Sequence, residues 1–299
     1  VLKAEGNQNA AEMQVRRALA LEPFLPEAEY LLAMILLSSG RYDAAASVAQ
    51  KLVSGSPTFA KGWELLAAAL QRAGNLEAAV DACRSGCQQC PQHPRPHYAL
   101  GQLLREQCDF DLAAISYQKA EQLGLASADL YQNYAAALGD AGNQLEALAV
   151  IARGVAVYPQ NALLHRLYAN LHFETQASGD PVEKVWESAR AHKTNTELWK
   201  ILIELLDRLG RAQDVESAFG ELADSGVDYS AGLLTLRAKH LSHRGRMEEA
   251  FEQFEAVVSQ YPDDPDGLLN FAMCLLEAGQ ADRSISLCDH ILDNNPFDQ

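Results

Sequence analysis

Positive charge is scarce in this 299-residue chain, where 24 Lys and Arg stand against 40 Asp and Glu, a net charge of −16. Nucleic-acid readers present basic faces to phosphate, so this balance argues against a nucleic-acid partner. Long apolar runs are also lacking. Hydrophobic residues make up 48% of the chain, yet no stretch approaches the roughly 18 consecutive apolar residues that span a bilayer. A soluble protein without membrane association is expected. Six cysteines are few for this length and fall on helical positions, which predicts a reducing compartment, the cytoplasm, rather than a disulfide scaffold. The chain opens on Val1 without a charged segment followed by an apolar one, so no signal peptide is expected and a piece of a longer protein is. Phosphate loops, dinucleotide fingerprints and nucleophile elbows are missing: the glycines sit in turns between helical stretches, and no strand is predicted to carry such sites. Neither catalysis nor a cofactor is expected within these residues.

What acidic charge there is lies unevenly. Residues 1–127 carry 11 basic and 13 acidic side chains, net −2, whereas 128–299 carry 13 and 27, net −14. A partner with basic segments would feel the second half.

The dominant pattern is a period. Pro23, Pro57 and Pro91 stand 34 residues apart, and Pro159 follows after two more periods, with Leu125 in the skipped slot. The stretch Pro57 to Pro91 reads as two amphipathic helices joined at Gly74-Asn75, and a fixed period of this length marks a helical solenoid. Such an array buries each unit only against its neighbours, which predicts one elongated domain over 1–299. A partial unit at 1–25, with a turn at Gly6-Asn7, precedes units at about 26–59, 60–93, 94–127, 128–161, 162–195, 196–230, 231–264 and 265–298.

Small residues recur where paired helices must approach: Ala33, Ala67, Gly101 and Ala135 in first helices, Ala45, Ala79, Ala113 and Ala147 in second ones. A bulky side chain there would force the helices apart. Gly6, Gly40, Gly74 and Gly142 mark the left-handed turns, with Cys108 replacing glycine once. Trp63, Tyr131, Trp199, Tyr117, Trp186, Phe219 and Phe254 recur at points facing the next unit and are read as core.

The chain resembles the tetratricopeptide repeat (TPR) family, whose pattern is matched by Trp63, Leu66, Ala67, Leu70, Gly74, Ala79, Cys83, Gly86 and Pro91. The resemblance covers essentially the whole chain and implies an all-α, right-handed superhelical solenoid of antiparallel helix pairs. The unit at 162–195 departs most, with its glycine slot dissolved into QASGD and its second helix expected to start at Pro181 behind an Asp180 cap. One extra residue falls between Gly210 and Gly245, within DSGVDYSAG, and Pro296 is where a further helix would follow.

Two constellations look like chemistry. Cys83, Cys87 and Cys90, with His93 and His97 beyond, have metal-ligand residue types, but their helical spacing places the thiols on the buried face of a helix, as core. His165, His172 and Glu174 lack the spacing of a helical zinc motif and are expected to be solvated or at the core edge. No metal site is expected.

The resemblance further implies that first helices line a concave groove that binds peptides. Carrying over the family's contact positions gives Arg95, Tyr98, Gln102, Gln132, Asn133, Arg166, Asn170 and Lys200 as the peptide-binding residues, flanked by Lys61, Glu64, Asp129, Glu204, Lys239, Asp266 and Asn270. Their long and amide side chains suit the backbone of an extended peptide. The family's carboxylate-clamping set is absent: its slots hold Tyr30, Met34, Leu65, Arg95 and Ala99. Only Asn133 and Asn270 occupy the slot of the asparagine ladder that other members use. The expected function is a non-catalytic protein- or peptide-binding scaffold. Alternatives are the substrate-recruiting region of a longer enzyme (a 2-oxoglutarate- and iron-dependent oxygenase, sulfotransferase or glycosyltransferase) and an array that self-associates through Phe271, Leu275, Leu287 and Ile291.

Overall fold

A computed structural model of the chain describes residues 2–22 and 24–294. Among them, seventeen helices and no strand are found, falling into two compact units, residues 1–157 and 158–299. The first unit holds α1 (Leu2–Leu21), α2 (Pro26–Ser38), α3 (Tyr42–Gly55), α4 (Ala60–Arg72), α5 (Leu76–Gln89), α6 (Pro94–Glu106), α7 (Phe110–Gln122), α8 (Ala128–Asp140) and α9 (Gln144–Val157). The second holds α10 (Ala162–Glu174), α11 (Pro181–Ala191), α12 (Thr196–Arg208), α13 (Ala212–Asp224), α14 (Ala231–His243), α15 (Met247–Gln260), α16 (Pro265–Glu277) and α17 (Ala281–Asn294). Pro23 and Pro296 lie outside the described residues.

Each first helix ends in a left-handed residue, and the next N–H reaches back five residues, as in Arg41 to Leu36 (3.0 Å), Asn75 to Leu70 (2.9 Å) and Asn143 to Leu138 (2.8 Å). This satisfies carbonyls that a helix end otherwise leaves unpaired. Gly40, Gly74 and Gly142 hold the left-handed position, and Cys108 adopts it at φ 63° without being glycine. In the irregular repeat Gln176 does so at φ 49°, and Asp180 caps α11 by accepting from the Val182 N–H at 2.9 Å. The extra residue expected before Gly245 falls in the six-residue connection 225–230 between α13 and α14.

The turn expected at Gly6-Asn7 does not form, since α1 runs unbroken from Leu2 to Leu21. Gly6 and Asn7 are held inside this helix despite the low helix propensity of both residues.

Ala33, Ala67 and Ala135, with Ala45, Ala79, Ala113 and Ala147 opposite, are all buried. At Gly101 a methyl group would stand 2.7 Å from the Tyr117 ring, so even alanine is excluded there. The recurring aromatics are core, with Trp186 half-buried and the rest buried. The first-helix aromatics also carry a periodic hydrogen bond: the Trp63 indole donates to the Pro57 carbonyl at 2.7 Å and the Trp199 indole to that of Lys193 at 3.0 Å. His165 occupies the same slot, its Nε2 2.9 Å from the Pro159 carbonyl oxygen. It is wholly buried rather than solvated, because the slot faces the neighbouring hairpin whichever ring fills it. His172 is buried against Tyr168, their rings 5.9 Å apart.

Two further expectations are corrected. Cys83 is core, but Cys90 lies just past the end of α5, buried with its Sγ 3.6 Å from the Pro57 carbonyl oxygen. Burial pushes the Cys83 thiol up and that of Cys87 up to about 11, so both stay protonated and unreactive near neutrality. Phe271 and Leu275, expected as exposed apolar surface, are buried; Phe271 stacks on Phe254 at 5.2 Å, and Leu287 packs on the same cluster. The outward face of this last hairpin instead carries Leu269, Met273, Leu276 and Ile285. The Ile291 side chain lies outside those described.

Candidate peptide-binding surface

In the first unit, α2, α4, α6 and α8 present a row of recesses. The roomiest described, about 760 Å³, is lined by Tyr30, Met34 and Leu37 of α2, Lys61, Glu64 and Leu65 of α4, and Arg95 of α6, among others. It shares Glu64, Ala68 and Gln71 with a second recess of about 240 Å³, which reaches Ala99, Gln102 and Leu103. Gln102 in turn belongs to a third, about 360 Å³, lined also by Arg105, Glu106, Tyr117 and Asn133. Shared residues make the three one continuous strip.

The strip is organised by polar bridges between neighbouring first helices. The Arg95 guanidinium lies 3.3 Å from the Glu64 carboxylate, and the Gln71 amide donates to Glu106. Asn133 donates from Nδ2 to the Tyr98 hydroxyl at 2.9 Å and accepts from Arg105 Nη1 at 3.0 Å. Asn133 is thus tied to its own chain on both sides, retaining one N–H and one lone pair. Burial is the main influence raising the Tyr98 hydroxyl above the ordinary tyrosine value, so it stays protonated.

Of the predicted first-unit residues, Arg95, Gln102 and Asn133 line these recesses, Tyr98 joins them only through its bond from Asn133, and Gln132, half-buried, does neither. Sequence reasoning missed Arg105, which lies beyond the family's contact positions, and Tyr117, which a core reading absorbs. It also passed over Tyr30, Met34 and Leu65, noted only as failing to match the carboxylate clamp. Their apolar character at clamp slots was the available signal.

In the second unit Arg166 and Asn170 line a smaller recess of about 250 Å³ with Ala169, Phe173, Ile201, Glu204, Leu205 and Arg208. Arg166 Nη1 is 3.4 Å from the Glu204 carboxylate, and the Arg208 guanidinium stacks on Phe173 at 4.1 Å. Lys200 does not join them: its side chain extends toward Gly232 of α14, where an added methyl would meet Nζ at 3.2 Å. Asn270 donates to the Asp266 carbonyl of its own helix at 2.6 Å. Among the described residues no cluster of His, Cys, Asp or Glu could hold a metal ion, and no helix is long and apolar enough to cross a membrane.

Models of the tetratricopeptide repeat match residues 2–60, 60–103 and 241–299. Over 170 residues, 56% of its length, the chain is 28% identical to protein O-mannosyl-transferase TMTC1 of Homo sapiens, and the match spans 19% of that protein. Among solved structures it is similar to the C-terminal part of a TPR repeat-containing protein from Cytophaga hutchinsonii, at TM-score 0.53 and 11% identity, covering 89% of this chain and 95% of that one. A thermophilic TPR protein from Thermus thermophilus aligns at TM-score 0.45 and 26% identity, covering 57% of this chain and 94% of the other. With repeat models matching both ends and every hairpin closed by the same turn, the chain belongs to the tetratricopeptide repeat family.

Proposed function

We propose that the chain is a non-catalytic interaction scaffold that holds an extended segment of a partner protein along the first helices of its first unit. The observation that carries this reading is the strip of shared recesses from Tyr30 to Asn133, which alternates apolar floor and polar bridges as an extended peptide alternates side chains and backbone. The recess around Arg166 and Asn170 offers the second unit a separate, smaller contact. Partners with basic segments would meet the second unit's surface, where 24 acidic side chains face 12 basic ones.

Ala68 belongs to two of the three recesses and is half-exposed. Ala68→Trp should therefore block the strip without disturbing the core. Peptides selected from a display library against the wild-type chain should lose at least about tenfold in affinity for the variant, with an unchanged thermal midpoint; undiminished binding would refute the placement.

A second reading makes the array the recruiting region of a longer enzyme, supported by its likeness to part of a transferase. The reading frame of the parent gene tests it: an encoded catalytic domain is expected, and its absence would refute the idea.

A further inference from the structure

We infer that the recess formed by α6, α7 and α8 is a subsite for an acidic side chain, Asp or Glu, of the segment bound along the first unit. The inference rests on the proposed function and adds the chemistry of one position. Tyr117 is wholly buried yet lines this recess, and its hydroxyl has no hydrogen-bond partner among the described residues. An unpaired buried hydroxyl destabilises a fold, so a group held there unpaired points to a role. The ring cannot drift: it lies on Gly101, where a methyl group would clash at 2.7 Å, and its centroid is 5.7 Å from that of Tyr98 and 6.3 Å from that of Tyr134.

The bonds of Arg105, which lines the recess, and of Tyr98, which packs beside Tyr117 without lining it, leave both as donors. The Tyr98 oxygen accepts from Asn133, which leaves its proton to give away, and Arg105 spends one N–H on Asn133 and keeps the rest. Burial raises both tyrosine hydroxyls, which keeps them protonated at neutral pH. The carboxylate on the rim, Glu106, accepts from Gln71 on the side toward α4. Of the groups that line the recess, Tyr117 has a hydroxyl proton without an acceptor and Arg105 has free guanidinium N–H groups, so the space calls for acceptors, and a carboxylate supplies them with charge assistance. A lysine would meet Arg105 instead.

The wider strip agrees: Lys61, Arg72, Arg95 and Arg105 outnumber Glu64 and Glu106 along it, within a chain of net charge −16. The carboxylate is assigned to a side chain rather than a chain terminus because the recess continues through Gln102 into its neighbour, so the bound segment runs on past it.

The test uses the full chain and a positional-scanning library of acetylated, C-terminally amidated heptapeptides with Glu, Gln or Lys fixed at each position in turn. Glu should exceed Gln by about tenfold at one position, the worth of one charge-assisted hydrogen bond. Arg105→Gln and Tyr117→Phe should each abolish that preference, and Tyr117→Phe should do so with an equal or higher thermal midpoint, because it deletes an unpaired hydroxyl. Equal binding of Glu and Gln, preference for Lys, or a Glu preference that survives Tyr117→Phe would overturn the subsite while leaving the peptide strip standing. A library with no binder would overturn both.

Discussion

The hairpins α4–α5 and α12–α13 occupy the same place in the repeat, 136 residues apart, and solve it differently. In the first, Ala67 faces Ala79, and the two backbones lie close together. In the second, the equivalent slots hold Ile203 and Val215, both wholly buried, and the backbones pack less closely. Ile201, Leu202, Ile203, Leu205 and Leu206 are all buried, so α12 spends apolar side chains on every side. Its exposed face is correspondingly poor: the recess it lines is about 250 Å³, whereas the strip beside α4 begins with about 760 Å³. Small residues inside a hairpin thus concentrate the core between two helices and leave the outer face of the first helix free for polar contacts.

The comparison can be broken most forcefully at Ile203. If it is the spacer of its hairpin, Ile203→Ala opens a cavity and should destabilise the second unit by about 2–5 kcal/mol, read from Trp199 fluorescence in urea. A cost below about 1 kcal/mol would mean that α12 and α13 simply close up. The reverse exchange, Ala67→Ile, should cost about 1–3 kcal/mol by forcing α4 and α5 apart, followed at Trp63.

The units should also part company with pH. Burial holds the Cys83 and Cys87 thiols of the first unit above their ordinary value near 9. Only the unfolded chain ionises as pH first passes 9, so their contribution is complete below that point and fades as pH climbs through about 11. Buried His165 in the second unit is depressed, mainly by desolvation, so its contribution is present above pH 6.5 and fades as the solution turns acid. His97 of the first unit shifts the same way. Urea midpoints at Trp63 should therefore fall above pH 9 as well as below pH 6.5, and those at Trp199 below pH 6.5. Cys83→Ala combined with Cys87→Ala should shallow the alkaline limb, leaving the part due to the raised hydroxyls of Tyr98, Tyr117 and Tyr134; an unaltered limb would refute the assignment.

The smallest effect belongs to the turns. Cys108→Gly relieves a left-handed residue that carries a side chain and should stabilise the first unit by about 1 kcal/mol, measurable as a raised thermal midpoint.

The helices, turns and cores were legible in the sequence because the period is enforced by packing: the same six-residue reach from Trp63, His165 and Trp199 recurs whatever the ring. The candidate surface was legible only in part. Positions such as Arg95, Tyr98 and Asn133 follow from the repeat register, but a register cannot say that Asn133 is tied to Arg105, or that Lys200 turns toward α14. Tyr117 carries a core residue's signature in sequence, and only its surroundings reveal an unpaired hydroxyl beside a recess. Phe271 and Leu275 were misplaced for the converse reason, since apolar spacing does not say which stripe of a last helix faces its own hairpin.

Whether a segment lies along the first helices can be read from backbone amide exchange on the full chain, with and without a saturating peptide selected from the display library. Added protection is expected in α4, α6 and α8, centred on the stretch from Glu64 to Asn133. Protection confined to the second helices α5, α7 and α9, with the first helices unchanged, would contradict it.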